Sequence, residues 1–264
     1  MAIHPTAIVD PAAELGDVEV GPYAVIGPEV KLADGVAVGA HAVLEGPTSI
    51  GAGTRIHPFA CVGGPPQDLK YGGERTTLEI GQGNIIREYA TIHRGTVAGG
   101  AITRVGNHNL FMASSHVAHD CTVGDHCVFA NSVAIGGHVV VQDRAVLGGL
   151  AGVHQYARIG RCAMVGAGAM VALDVPPFTI AQGDRARLFG LNIIGLRRAG
   201  YDIGVITRLR QAYRELFGGT APLRIAAERV RETWADDLQV VELASFVENS
   251  GRGVCRAAGS GSES

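Results

Sequence analysis

The chain has 264 residues, of which 47% are hydrophobic and 5% aromatic, and its formal net charge at pH 7 is −3. A charge this close to neutral argues against a nucleic-acid partner. No stretch approaches the ~20 uninterrupted apolar residues of a membrane-spanning helix, so the sequence predicts no membrane span. At the N-terminus, Pro5, Asp10 and Pro11 interrupt any secretory leader, and we therefore expect a cytoplasmic protein.

Apolar residues recur at every sixth position along most of the chain. The uninterrupted series from Val105 to Val171 has twelve members, and the residue after each is often small. The same six-residue spacing also runs from Val20 to Val62 and from Ile80 to Ile92. A period of six belongs neither to a helix nor to an ordinary strand, and it is typical of a hexapeptide-repeat solenoid whose stacked coils share one core. We predict this solenoid over residues 1–182.

Two insertions break the six-residue period, near residues 64–78 and 95–104. The first carries Asp68 and Lys70, whereas the second lengthens one spacing from six residues to thirteen. Insertions in solenoids emerge as loops, often on the binding face. Asp68 and Lys70 are suited to bind hydroxyls and phosphates, although the ordinary polarity of a solvated loop explains them equally well.

Beyond Gly183 the apolar spacing becomes helical, for example at Ile203 and Ile206 behind the potential cap Asp202. The sequence thus predicts a helical C-terminal domain over residues 183–250 and a flexible tail over 251–264. Between Gly183 and Arg231 there are ten arginines and four acidic residues. This bias indicates either a solvated helix face or a docking surface for an acidic partner.

The five cysteines form no CxxC pair, which argues against a zinc cluster and against a disulfide framework. We expect them to be small buried hydrophobic residues.

Several histidines interrupt the hexads, and their spacing brings four of them to one face. In a solenoid with three hexads per turn, residues eighteen apart stack on adjacent coils about 4.8 Å apart. After the second insertion is discounted, the hexads that start at Ile92, Val117, Ile135 and Val153 occupy successive coils. The histidines that share their face, over on the order of 14 Å, are His93, His119, His138 and His154.

Within this face, His119 is the best candidate for a catalytic base because Asp120 follows it directly. A neutral histidine accepts a proton from a hydroxyl near pH 7, and an adjacent carboxylate supports that role. Gly137, predicted to stack on His119, offers a backbone N–H that no side chain obstructs and that suits an oxyanion. These residues indicate acyl transfer to a hydroxyl.

Six segments, in chain order, resemble the acyl carrier protein–UDP-N-acetylglucosamine O-acyltransferases of lipid A biosynthesis. They are QDLKY at 67–71, IHRGT at 92–96, HVAHDCTVGD at 116–125, GVHQY at 152–156, DVPPFTIAQGD at 174–184 and NIIGLRR at 192–198. The resemblance implies a left-handed parallel β-helix with a helical C-terminal domain, assembled as a homotrimer with active sites between subunits. It also implies transfer of a 3-hydroxyacyl group from acyl carrier protein to the 3-hydroxyl of UDP-N-acetylglucosamine, the first step of lipid A biosynthesis.

The resemblance assigns roles to individual residues as well. His119 would be the general base, Asp120 would orient it, and the Gly137 N–H would stabilise the oxyanion, with no metal or cofactor. Ala167 occupies the position that limits the acyl channel, and its methyl group implies a shorter chain than glycine would allow. The residues that the resemblance associates with substrate binding are Asp68, Lys70, His93, His116, His138, His154, Gln155, Asn192 and Arg198.

Other functions fit the sequence less well. Enzymes that acylate a sugar amine on a similar solenoid are expected to have a uridine-binding domain before the first hexad. In this sequence the repeat begins at Ile3. An acetyl-CoA-dependent acetyltransferase shares the repeat but not the QDLKY and HVAHD segments. A zinc carbonic anhydrase on this solenoid needs two histidines separated by four residues, and His116 and His119 are separated by two. A scaffolding solenoid needs no histidine face. The sequence leaves open the acyl length and whether the acceptor carries a 3-amino group.

Overall fold

The computed structural model describes residues 1–259, most of which form very short strands at the apolar hexad positions. In chain order the strands are β1 Ala2–Ile3, β2 Ile8–Val9, β3 Glu14–Leu15, β4 Glu19–Val20, β5 Val25–Ile26, β6 Val30–Leu32, β7 Ala37–Val38, β8 Val43–Leu44, β9 Thr48–Ile50, β10 Arg55–Ile56, β11 Cys61–Gly64, β12 Thr77–Ile80, β13 Ile85–Ile86, β14 Thr91–His93, β15 Ile102–Val105, β16 Leu110–Phe111, β17 His116–Val117, β18 Thr122–Val123, β19 Val128–Phe129, β20 Ala134–Ile135, β21 Val140–Val141, β22 Val146–Leu147, β23 Gly152–Val153, β24 Arg158–Ile159, β25 Met164–Val165, β26 Met170–Val171, β27 Thr179–Gln182 and β28 Arg187–Leu191.

These strands form three sheets along the stack, and each turn of the solenoid adds one strand to each sheet. The 11-stranded sheet contains β1, β4, β7, β10, β13, β16, β19, β22, β25, β27 and β28, the 9-stranded sheet contains β2, β5, β8, β11, β14, β17, β20, β23 and β26, and the 8-stranded sheet contains β3, β6, β9, β12, β15, β18, β21 and β24. Neighbouring coils pair in parallel, and β27 and β28 pair antiparallel. The architecture is a parallel β-helix.

The predicted stacking of the histidine-bearing coils is confirmed by the strand register. Ile92 pairs with Val117, Val117 with Ile135, and Ile135 with Val153 in the 9-stranded sheet. Residues at this position of the strands point inward and are almost completely buried, because they build the shared aliphatic core. The insertions lie between β11 and β12 and between β14 and β15, and they are shorter than the predicted 64–78 and 95–104 because residues 77–78 belong to β12 and residues 102–104 to β15.

The corners between sheets impose an unusual backbone conformation. At the corner that follows the 9-stranded sheet, Asp120, His138 and Tyr156 have φ of 60°, 61° and 66°. Residues other than glycine adopt this left-handed region infrequently, and aspartate and histidine tolerate it better than most. We name this edge of the solenoid the histidine corner. Its geometry places Asp120, His138 and Tyr156 one coil above the next.

The helical part begins later than predicted. Helices occupy Ile193–Arg198 (α1), Ile203–Phe217 (α2), Leu223–Thr233 (α3) and Leu238–Glu248 (α4). The predicted start at residue 183 is wrong because the β27–β28 hairpin still continues the 11-stranded sheet there. In β28, exposed Arg187, buried Leu188 and exposed Phe189 alternate along the chain, as expected for a strand.

The segment after α4 also differs from its prediction as a flexible tail. Val254 and Cys255 are buried, and the backbone bridges Asp174 to Val254 and Leu188 to Ala257. Two apolar side chains in a polar stretch are enough to return the chain to the solenoid, so the prediction is wrong for residues 251–259. Residues 260–264 of the predicted tail lie outside the described residues.

Four of the five cysteines are buried, as expected, whereas Cys61 is exposed at the outward position of β11. Among residues 1–259, no helix combines the length and apolarity that a bilayer crossing requires.

Candidate active site

The centre of the histidine corner is a hydrogen-bonded pair formed by His119 and Asp120. Nδ1 of His119 lies 2.7 Å from Oδ2 of Asp120. The Asp120 side chain is 0% exposed and the His119 side chain 13% exposed. Because a carboxylate only accepts hydrogen bonds, the ring proton sits on Nδ1 and the Nε2 lone pair is left to accept a proton from a substrate hydroxyl.

Gly137 lies directly against the His119 ring, one coil along. A methyl group added at Gly137 would stand 2.5 Å from Cε1 and 2.7 Å from Nε2 of His119. The Gly137 N–H donates to no group within residues 1–259. The structure therefore brings a proton acceptor and a free backbone donor side by side, as the eighteen-residue spacing predicted, and this pairing suits acyl transfer.

His138 completes the cluster on the next coil. Its Nε2 lies 3.7 Å from Oδ2 of Asp120, and its ring meets the His119 ring edge to face with centroids 5.2 Å apart. On its other side it stacks on Tyr156 at 4.3 Å. Burial lowers the pKa of His138, against the opposing charge of Asp120. The lowered pKa favours the neutral form of the His138 ring beside His119.

His93 and His116 form a second pair across two adjacent coils, since His93 lies in β14 and His116 in β17, the strand that precedes His119. Their ring centroids are 5.0 Å apart in an edge-to-face arrangement, and Nδ1 of His116 lies 2.7 Å from the Thr91 hydroxyl oxygen. Burial lowers the pKa of His93 to about 4 and also lowers that of His116. Nδ1 of His93 is buried and has no hydrogen-bond partner in residues 1–259. An unpartnered polar atom at this point is suited to a ligand.

The buried neutral state of His93 makes acid unfold the protein more easily. Its pKa is about 4 in the fold and 6.5 in the reference state, so between these pH values the unfolded chain binds more protons. The free energy of unfolding therefore falls as pH drops from 6.5 towards 4, by about 3 kcal/mol for this group. Urea unfolding of the wild type and His93→Gln at about pH 7 and about pH 5 measures the effect. We expect a smaller loss in the variant; an equal loss in both proteins would contradict the assignment.

The first insertion brings Asp68 close enough for its charge to act on His138. That charge opposes the lowering of the His138 pKa. Oδ1 of Asp68 accepts the backbone N–H of Lys70 at 2.9 Å, which shapes the loop. Lys70 itself is exposed. The structure therefore brings Asp68 towards the histidine corner.

His154 and Gln155 follow β23, one coil beyond the coil of His138. There the segment after α4 contributes Arg252, which the sequence did not predict at the site. Nδ1 of His154 lies 3.0 Å from the Gln155 carbonyl oxygen and 2.8 Å from Nη2 of Arg252. Nε of Arg252 donates to the Ala172 carbonyl at 2.7 Å. Nothing in the polar composition of the C-terminus indicated this contact.

Asn192 and Arg198 do not join the histidines within one chain. They line a cavity of about 540 Å³ together with His126, which stands at the corner between the 8-stranded and 11-stranded sheets. Asn192 caps α1 by accepting the Gly195 N–H at 3.0 Å. Ala167 is exposed at the third corner, before β26. These three predicted site residues therefore lie on other edges of the solenoid.

His119, Asp120 and His138 offer one donor atom each within 4.8 Å, a spacing that a metal ion could use. However, Oδ2 of Asp120 already accepts the Thr96 hydroxyl and the His119 ring N–H, each at 2.7 Å. A metal ion would have to displace both donors. The arrangement fits the predicted reaction without a metal better than it fits a metal centre.

Comparison with known proteins gives consistent matches over nearly the whole chain. Residues 174–255 match the family profile described as UDP N-acetylglucosamine O-acyltransferase, domain 2, and residues 102–137 match the bacterial transferase hexapeptide profile. A Rhizobium johnstonii protein named acyl-(acyl-carrier-protein)–UDP-N-acetylglucosamine O-acyltransferase is 46% identical over 93% of this chain and 90% of its own length. The protein of that name from Syntrophobacter fumaroxidans is 45% identical over 97% of this chain and 100% of its own.

Solved structures agree with these matches. LpxA from Acinetobacter baumannii has a TM-score of 0.91 at 41% identity and covers 97% of this chain and 100% of its own. The Bacteroides fragilis structure, titled LpxA, a UDP-N-acetylglucosamine acyltransferase, has a TM-score of 0.93 at 36% identity, with coverages of 96% and 100%. The predicted fold class, a left-handed parallel β-helix with C-terminal helices, is confirmed.

Proposed function

This chain belongs to the acyl carrier protein–UDP-N-acetylglucosamine O-acyltransferase family and is an acyltransferase; from that premise we propose its substrates and mechanism. It transfers a 3-hydroxyacyl group from acyl carrier protein to the 3-hydroxyl of UDP-N-acetylglucosamine, the first step of lipid A biosynthesis. The 2.7 Å contact between His119 and Asp120, beside the free N–H of Gly137, carries the proposal. The proposal also assigns the reaction to the cytoplasm, as expected from the sequence.

In the proposed mechanism, Nε2 of His119 takes the proton of the sugar hydroxyl as its oxygen forms a bond to the thioester carbonyl carbon. The Asp120 carboxylate stabilises the imidazolium through Nδ1. The Gly137 N–H donates to the oxyanion of the tetrahedral intermediate. When the intermediate collapses, the C–S bond breaks, and the imidazolium returns its proton to the departing thiolate.

The remaining predicted residues bind the substrates in this proposal. Asp68 and His138 contact the sugar nucleotide near the general base His119. His93 offers its unpartnered Nδ1 to the substrate. His116, His154, Gln155 and Lys70 extend the surface along the same corner and its loop. Ala167 limits the acyl chain.

Asn192 and Arg198 support the proposed homotrimer. They stand at a different corner from His119, so one chain cannot offer them to the same substrate. When three solenoids pack side by side, the corner of one copy faces a different corner of the next. We therefore assign Asn192 and Arg198 to the neighbouring subunit's side of each site.

Substrate exchange tests the proposed function. The purified protein is assayed with the same 3-hydroxyacyl chain attached either to acyl carrier protein or to coenzyme A. Each donor is combined with UDP-N-acetylglucosamine or with its 3-amino analogue as the acceptor. We expect the carrier-bound donor and the hydroxyl acceptor to give the highest kcat/KM. A preference for coenzyme A would overturn the donor assignment, and a preference for the amine would overturn the acceptor assignment.

A further inference from the structure

The second insertion, residues 94–101, contacts the Asp120 carboxylate at the centre of the site. The backbone N–H of Thr96 donates to Oδ1 of Asp120 at 2.7 Å, and the Thr96 hydroxyl donates to Oδ2 at 2.7 Å. Each carboxylate oxygen therefore receives one hydrogen bond from the same residue. Oδ2 also accepts the His119 ring N–H.

The insertion is itself folded to make this contact. Thr96 caps a single turn of 3-10 helix, Val97–Gly99, and its hydroxyl oxygen accepts the Gly99 N–H at 3.2 Å. Gly99 lies so close to Asp120 that a methyl group there would overlap the carboxylate. Thr96 is 5% exposed, and the Asp120 side chain is fully buried. The loop thus covers the carboxylate and excludes water from it.

We propose that residues 94–101 form a clamp on Asp120 and that Thr96 is a positioning residue of the transfer reaction. This inference rests on the proposed function, because it assigns Thr96 a role only through Asp120 and His119. The two Thr96 hydrogen bonds fix the plane of the carboxylate, which would otherwise rotate about its Cβ–Cγ bond. With that plane fixed, Oδ2 stays directed at Nδ1 of His119 and the ring keeps the orientation in which Nε2 faces the acceptor.

The test is Thr96→Val, which removes the hydroxyl donor while keeping the backbone N–H and the side-chain shape. We expect kcat to fall about 10- to 100-fold, the range for a lost hydrogen bond to a charged group, with KM for UDP-N-acetylglucosamine unchanged. Thr96→Ser restores the hydroxyl and should restore most of kcat. Thr77→Val is the matched control, since the Thr77 hydroxyl donates to the Ala101 carbonyl of the same loop without touching Asp120.

A double-mutant cycle separates positioning from general damage to the fold. If Thr96 acts through Asp120, Thr96→Val should lower kcat little further in an Asp120→Ala background. An equal loss in both backgrounds, or a wild-type kcat for Thr96→Val, would overturn the clamp. If Thr96→Val does not fold, Gly99→Ala takes its place in the same cycle, since its methyl group displaces the carboxylate directly. An inactive wild type would instead refute the proposed function.

Discussion

Replacing His119 by alanine is expected to lower kcat by about 100- to 10,000-fold, the range that a general acid–base group contributes. In the proposed mechanism, the variant loses the group that accepts the hydroxyl proton and later returns it to the thiolate. KM should change far less, because His138 and Asp68, which we propose contact the sugar nucleotide, are retained. Steady-state kinetics with acyl carrier protein thioester and UDP-N-acetylglucosamine measure both constants.

His57→Ala is the matched control for this substitution. Nδ1 of His57 lies 3.4 Å from Oε1 of Glu88, outside the histidine corner. Its substitution therefore removes an imidazole ring without touching the pair of His119 and Asp120. We expect it to keep kcat near the wild-type value. A His119→Ala protein with wild-type melting temperature and more than about a tenth of wild-type kcat would contradict the assignment of the base.

Replacing Gly137 by alanine is the second substitution with a large expected effect. The new methyl group would stand 2.5 Å from Cε1 of His119, well inside van der Waals contact. The ring would have to move away, and a displacement of about 1 Å in an active site costs on the order of 100-fold in rate. We therefore expect kcat to fall by about that factor although no reacting side chain has been removed.

Gly149→Ala controls for the general cost of a methyl group at a solenoid corner. The nearest atom to a methyl group there is the Asn131 carbonyl oxygen at 3.4 Å, an ordinary contact. Its activity should stay close to wild type. If Gly137→Ala were folded and equally active, the His119 ring would not need the position that the structure gives it, and the proposed geometry would be wrong.

The sequence predicted the solenoid and the central pair because both follow from a strict period. Once three hexads make one turn, the eighteen-residue spacing determines which residues stack, so the spacing alone predicts that Gly137 lies against His119. The confirmed register of Val117, Ile135 and Val153 has the same origin. A stacked repeat makes long-range neighbours computable from local spacing.

What the sequence could not predict lies where the period stops. Thr96 contacts Asp120 through a loop whose path the repeat does not determine. Arg252 reaches His154 because two buried side chains return a polar segment to the solenoid. The β27–β28 hairpin lies between the last hexads and the helical spacing that starts at Ile203, so neither period predicts it. The separation of Arg198 from the histidines depends on which corner each faces, which the apolar pattern alone does not define.

The most direct test of the central claim is to identify the product formed by the wild-type protein. The protein is incubated with 3-hydroxyacyl carrier protein and UDP-N-acetylglucosamine, and the nucleotide product is analysed by mass spectrometry and NMR. We predict a single acylated sugar nucleotide with an ester at the 3-oxygen of the glucosamine. No acylated nucleotide from a folded protein, or an acyl group on any other atom, would contradict the function proposed for His119 and its corner.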